Sequence, residues 1–185
     1  MPDTIQKGKL LLSDPSLLQD NVFGRSVVLI TECNTEGTVG FILNKPVNYI
    51  ISDLVPDVEF PIPVYIGGPV DEDNLYFIHN KPEIIPNSTE ISNGIYWGGD
   101  FEVVKNQINT GNISENEIRF FLGYTGWDSG QLESELNSNS WIIVANQHKA
   151  NILTTAKADF WKEQIKNLGE KYAIWMNAPE NPEFN

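Results

Sequence analysis

The side chains able to do chemistry are few and scattered. Cys33 is the single cysteine, and His79 and His148 are the only histidines. A thiolate nucleophile needs a neighbouring base and a lowered pKa. Neither histidine lies in a nucleophile motif, so a small core residue at the end of a strand is the simpler reading of Cys33. One cysteine and two distant histidines do not form a metal set. The run Asp71-Glu72-Asp73 has the oxygen ligands for calcium but lacks the glycine and closing glutamate of an EF-hand loop, and it reads as a solvated acidic turn. Gly67-Gly68-Pro69 could cradle an anion with backbone N–H groups. It is neither a Walker loop nor a dinucleotide fingerprint, and a tight turn explains it as well. Glu133 and Glu135 would point in different directions on a helix, whereas Gln131 and Glu135 share a face.

The densest constellation is Tyr124, Gly126 and Trp127, followed by Asp128 and Gln131. Small glycines beside a large amphipathic aromatic can form a pocket wall, and a helix starting at Asp128 would present free N–H groups and positive dipole beside it. Core packing of Trp127 is the competing explanation. The candidate ligand or partner surface is therefore Gly67, Gly68, Pro69, Tyr124, Trp127, Gln131 and Glu135.

These residues must be positioned by short elements. Lys9–Leu12 reads as a strand. Ser26–Cys33 is continuous, apolar and β-branched, which suits a strand buried on both faces. Asn34–Gly37 has turn chemistry and Thr38–Leu43 is strand-like, so 26–43 reads as a hairpin with a close approach or bulge at Gly40. Residues 44–94 are proline-rich and irregular, with short strands at Val64–Ile66 and Leu75–His79. Ile95–Trp97 is a further strand. Asp100 caps a helix over Phe101–Asn109, ended by Gly111. Ser114 with Glu117 has a capping-box pattern, enough for one turn. Ile118–Tyr124 is a strand, and Asp128 with Gln131 opens a helix to about Asn137. Trp141–Ala145 is a buried strand, and Ala158–Leu168 is an amphipathic helix with Phe160, Trp161, Ile165 and Leu168 inward. Tyr172–Met176 can dock, and Asn177–Asn185 is a polar, loose tail. This order implies a single α+β (mixed α/β) domain over 1–176, with helices packed on a partly irregular mixed sheet, then a tail over 177–185.

Composition narrows the function classes. The 185 residues are 41% hydrophobic and 11% aromatic, enough for a substantial core. Net charge is −13, from 25 acidic and 12 basic residues. No dense Lys/Arg cluster offsets it, which argues against direct nucleic-acid binding, since that gains most of its non-specific affinity by neutralising phosphates. The first residues lack an apolar run of signal-peptide length, no stretch approaches the roughly 18 apolar residues of a membrane helix, and a single cysteine suits a reducing compartment. The expectation is a cytoplasmic protein with no membrane association and no cofactor.

Several motifs occur together: Phe23-Gly24-Arg25-Ser26-Val27-Val28-Leu29, then Gly37 through Pro46 (GTVGFILNKP), then Gly67-Gly68-Pro69-Val70, then Phe120, Leu122-Gly123-Tyr124, Gly126-Trp127 and Gly130-Gln131-Leu132-Glu133. In this order, over about residues 8 to 145, the chain resembles the AlgH/YqgE family of bacterial proteins. The resemblance implies a cytoplasmic mixed α/β protein. Members are often labelled transcriptional regulators, and no established activity, cofactor or catalytic residue comes with the family. One departure is visible: where the family often has Glu-His-Asn, this chain has Glu32-Cys33-Asn34. The expected function is a non-enzymatic module that binds a small ligand or a protein partner, with a regulatory role. The alternatives are a hydrolase or transferase whose polar groups converge only in the fold, and a transcriptional regulator acting without strong direct DNA binding.

Overall fold

A computed structural model describes residues 4–179. Ten strands run in chain order: β1 (Leu10–Ser13), β2 (Val27–Asn34), β3 (Gly37–Ile42), β4 (Pro46–Ile50), β5 (Pro63–Ile66), β6 (Val70–His79), β7 (Thr89–Ser92), β8 (Ile95–Trp97), β9 (Ile118–Asp128) and β10 (Trp141–Val144). The helices are α1 (Ile51–Leu54), α2 (Phe101–Asn109), α3 (Gln131–Asn137), α4 (Ile152–Thr155), α5 (Phe160–Asn167) and α6 (Glu170–Ala173), with short 3-10 turns such as Pro15–Leu17. The sheet order is β10-β1-β2-β3-β9-β6-β8-β7, and β4 and β5 join it through β9. Every pairing is antiparallel except β5 with β9. The result is a mixed α+β fold.

Alternation along the strands explains why the sheet is covered on both faces. In β1 and β2, Leu10, Leu12, Val27 and Leu29 face one cluster, while Leu11, Val28 and Ile30 face another. The first cluster is closed by Ile152, Leu153, Phe160, Trp161 and Ile165 from α4 and α5. The second is closed by Leu132 of α3 and by Trp141 and Ile143 of β10. A third cluster joins Val104 and Ile108 of α2 to Ile118 and Phe120 of β9. This two-sided burial is what the unbroken apolar run in β2 requires.

β9 holds the sheet together. Its first half pairs with β5 and β6, and from Thr125 onward it pairs with β3. Gly67 and Gly68 lie at the seam where the partner changes. Gly67 N–H donates to Leu122 O at 2.8 Å, and Gly67 O accepts from Ile42 N at 2.8 Å and from Thr125 Oγ1 at 3.1 Å. A Cβ at Gly67 would stand 2.3 Å from Gly123 O, so only glycine permits the approach.

Most elements follow their sequence signals, and the differences come from strand pairing: the run Asp71–Asp73, expected as an acidic turn, is part of β6, which pairs with β9. The hairpin turn, the Asp100 cap and α2 form as their residues dictate, with Asp100 Oδ1 accepting from Glu102 N and Val103 N. The close approach at Gly40 is real: a Cβ there would meet Val28 Cγ1 at 2.6 Å, and the β2–β3 register shifts between Ile30 and Glu32. Ser114 and Glu117 make one capped turn, Ser114 N donating to Glu117 Oε2 at 2.9 Å. The expected helix from Asp128 starts later. Asp128 is the last residue of β9, and Gly130, at φ +77°, precedes α3. Of the capping-box pattern only the glutamine half forms, Gln131 Oε1 accepting from Asp128 N at 3.0 Å. β4 begins at a proline, which an edge position tolerates. The predicted tail falls largely outside the described residues; within it, Ala178 and Pro179 carry carbonyls that meet Arg25.

Candidate functional site

The residues singled out by sequence fall into two neighbouring groups. Gly67-Gly68 packs against Gly123–Thr125, where a Cβ on Gly68 would sit 2.2 Å from Tyr124 C. Pro69 precedes Val70, which pairs with Tyr124. Tyr124 packs edge-on to Tyr76, with ring centroids 5.6 Å apart. The second group is one hydrogen-bonded network. Trp127 is buried, and its Nε1 donates to Glu135 Oε2 at 2.9 Å; Trp141 Nε1 donates to the same oxygen at 2.8 Å. Gln131 Nε2 donates to Glu135 Oε1 at 3.0 Å. Tyr124, Gly126, Trp127 and Asp128 line a shallow depression of about 360 Å³ with Val39 and Val70.

The reactive candidates are dispersed. His79 is fully buried, its Nε2 3.0 Å from Gly98 O and its Nδ1 accepting from Lys81 N at 3.1 Å, so the neutral ring has both nitrogens engaged. Burial lowers its pKa, against smaller opposing effects from the Gly98 carbonyl and Glu83. His148 lies 3.3 Å from Gln164 Nε2. Cys33 is half-buried beside Gln6, Lys7 and Glu90 in another depression. Asp71 accepts from Tyr76 OH at 3.4 Å.

A cleft of about 730 Å³ lies elsewhere, at the entry to β2 and the exit from β3. Its walls come from the segment Pro15–Arg25, from Asn44-Lys45, and from Ala158, Trp175, Ala178 and Pro179. Local chemistry shapes it from the sequence upward. Asp14 accepts from Ser16 N at 2.9 Å with Pro15 at the first position, which sets the 3-10 turn. Asp20 Oδ1 accepts from Val22 N and Phe23 N at 2.9 and 2.8 Å, which curls the next turn. A Cβ on Gly24 would stand 2.7 Å from Asp20 O. Arg25 then takes φ +54°, a left-handed conformation that costs an arginine of order 1 kcal/mol and is sustained by its surroundings.

Asn44 provides that support. It is buried; its Oδ1 accepts from Val27 N at 2.9 Å and its Nδ2 donates to Arg25 O at 2.9 Å. Lys45 Nζ donates to Gly24 O at 2.8 Å. Two segments far apart in sequence are thus stitched together so that Arg25 and Lys45 share one cleft. Burial lowers the Lys45 pKa; Asp20 opposes this and Arg25 adds to it. The Arg25 guanidinium lies 6.0 Å from the Trp161 ring, and its Nη2 donates to Ala178 O at 2.6 Å and Pro179 O at 3.3 Å. Sequence reasoning passed over both cations because neither belongs to a basic cluster. The available signal was their position: each sits beside turn residues at the end of an apolar strand, inside a motif of the family resemblance.

Fold and cleft together define a class: an α+β domain whose ten-stranded sheet is covered on both faces, with a cleft holding Arg25, Lys45 and Asp20 where two strand ends meet. Among the described residues no helix is long and apolar enough to cross a membrane. The chain belongs to the AlgH-like family (DUF179), whose sequence model matches residues 10–173. It is 41% identical over 184 residues to a UPF0301 protein of Chlorobium limicola, covering 99% of this chain and 97% of that one. It is 40% identical over 181 residues to a UPF0301 protein of Bacteroides thetaiotaomicron, covering 97% and 91%. Among solved structures, protein DIP2367 of Corynebacterium diphtheriae shares the fold with a TM-score of 0.75 at 22% identity, over 96% of this chain and 94% of that one. The solution structure of the AlgH protein of Pseudomonas aeruginosa matches with a TM-score of 0.71 at 25% identity, over 97% of each chain.

Proposed function

We propose that this chain is a non-enzymatic cytoplasmic binding module with a regulatory role, and that it takes a small ligand in the cleft between Arg25 and Lys45. One observation carries the reading. Two motifs distant in sequence are held together by Asn44, at the cost of a left-handed arginine, and the product of that arrangement is a cleft where two cations outnumber the one carboxylate, Asp20, in a chain of net charge −13. Its volume of about 730 Å³ fits a metabolite-sized ligand, and Trp175 offers an apolar wall. Strained backbone clusters at ligand clamps, and Arg25 combines it with a place in the cleft wall.

A thermal-shift screen of metabolites against the wild type, repeated with Lys45→Gln, tests the reading. Stabilising compounds should lose their effect in the variant. Hits that survive Lys45→Gln and Arg25→Gln but vanish in Trp127→Ala would move the site to the Tyr124–Trp127 depression.

That depression supports a second reading, a protein-partner surface around Tyr124, Gly126 and Asp128; of the other residues singled out by sequence, Gly67, Gly68 and Trp127 are buried beneath or beside it and shape it rather than touch a partner. Its favouring observation is the acidic rim of Glu32, Glu36 and Asp128, which suits a basic partner. Direct regulation through DNA has the overall charge against it, and a mobility shift at low salt should show no saturable binding.

A further inference from the structure

The guanidinium of Arg25 is only partly satisfied, and the pattern is informative. Nε and Nη2 form one edge of a guanidinium, the edge that takes a carboxylate or phosphate in bidentate fashion. Here Nη2 donates to the carbonyls of Ala178 and Pro179, whereas Nε is buried with no hydrogen-bond partner. Among the described residues only one other buried side-chain polar atom, Asn80 Oδ1, is in that condition. An orphaned buried donor is costly and calls for an explanation. The other cation of the cleft, Lys45, spends one N–H on Gly24 O and keeps its remaining donors.

We infer that the cleft ligand carries an oxyanion, phosphate or carboxylate, which takes the Nε/Nη2 edge of Arg25 together with Lys45 and displaces the carbonyls of Ala178 and Pro179. The inference rests on the cleft reading above and specifies its ligand class. The two neutral carbonyls on Nη2 stand where the anion's oxygens would lie. They satisfy one prong of the fork and leave the other, out of solvent's reach, unsatisfied. An oxyanion satisfies both prongs and adds charge to each bond, so it outcompetes a neutral carbonyl. Because Ala178 and Pro179 also line the cleft, entry of the anion releases these two residues from Arg25.

Calorimetric titration with inorganic pyrophosphate and with malonate, at constant ionic strength, tests the class and separates its two sources. At least one probe should bind saturably, and the tighter of the two identifies the group. Arg25→Gln keeps the backbone carbonyl that Asn44 holds, and should weaken binding about ten- to hundredfold. Lys45→Gln should weaken it independently, which keeps the test sound if one variant folds poorly. Hydrogen exchange in a peptide starting at Ile174 should speed up on binding. No saturable binding of either probe, or equal binding by the wild type and both variants, overturns the oxyanion class. Unchanged exchange with tight binding overturns the displacement of Ala178 and Pro179. A neutral compound that binds only when Lys45 and Arg25 are intact, with neither anion binding, would keep the cleft as the site and discard the oxyanion.

Discussion

The indole of Trp127 donates to Glu135 Oε2 at 2.9 Å, across the corner where β9 ends and α3 begins. The same oxygen accepts from Trp141 on β10, so one carboxylate ties two tryptophans whose rings meet edge to face at 5.8 Å. Trp127 and Trp141 are both buried, and Leu132 packs with them. The conspicuous aromatic-glycine segment is, at this end, a tertiary clamp.

Removing the acceptor should therefore cost stability. Glu135→Ala leaves two indole N–H groups without their partner and should destabilise the fold by about 2–3 kcal/mol. Glu135→Gln keeps one acceptor oxygen and should cost less than half of that. Urea unfolding checks both; equal losses in the two variants would show that the charge, not the acceptor, matters.

Arg119 is the second test of buried polarity. Its guanidinium donates to Leu43 O at 2.8 Å and to Leu153 O and Ala156 O at 2.6 Å, and lies 4.3 Å from the Tyr65 ring centroid. It thereby holds the end of α4 against the sheet. Arg119→Ala orphans three carbonyls and should cost about 3–5 kcal/mol, whereas Arg119→Lys should recover only part, for lack of a planar fork. A shift of a few degrees in melting temperature for Arg119→Ala would contradict this account.

Gly67 predicts a steric outcome. Its hypothetical Cβ would lie 2.3 Å from Gly123 O and 2.9 Å from Phe121 Cβ, both fixed in the sheet. Gly67→Ala should force β5 away from β9 and lose about 3 kcal/mol or more, or abolish soluble expression. An alanine variant with unaltered unfolding would show that the seam can yield.

His79 ties stability to pH. Burial lowers its folded pKa below the ordinary 6.5, so the unfolded chain binds its proton more tightly. The stability this neutral ring contributes is full above about pH 6.5 and is lost as pH falls through the folded value. Unfolding free energy measured between pH 7.5 and 5 should decline, and His79→Gln should flatten that part of the decline. An identical slope in the variant would assign the pH dependence to other groups.

Much of the fold was legible in the chain. The apolar run Val27–Ile30 announced a strand covered on both faces, Asp100 announced α2, and the NTEG turn announced the hairpin, because each signal is local. The end of β9 departs from its local signal: Asp128 and Gln131 look like a cap, whereas pairing of Gly37 and Thr38 with Asp128 and Trp127 carries the strand on. Hydrogen bonding to a distant strand outweighed a local preference. The cleft was hidden for a related reason: Arg25 and Lys45 are ordinary surface types, and only the β2–β3 pairing with the bonds of Asn44 and Lys45 to Arg25 O, Val27 N and Gly24 O brings them together.

By itself, then, the sequence determined the family, the α+β class and the places where the chain must turn, since motifs, periodicity and glycine or proline chemistry act over a few residues. Only the tertiary structure decided what those motifs are for. It spent Trp127 and Glu135 on packing, closed the Gly67 amide into the sheet, buried His79 with both nitrogens engaged, and gathered Arg25 and Lys45 into one cleft. Most of these roles depend on groups that meet across 8 to 58 residues of chain, and the longer of those convergences are set by strand register, which no local spacing encodes.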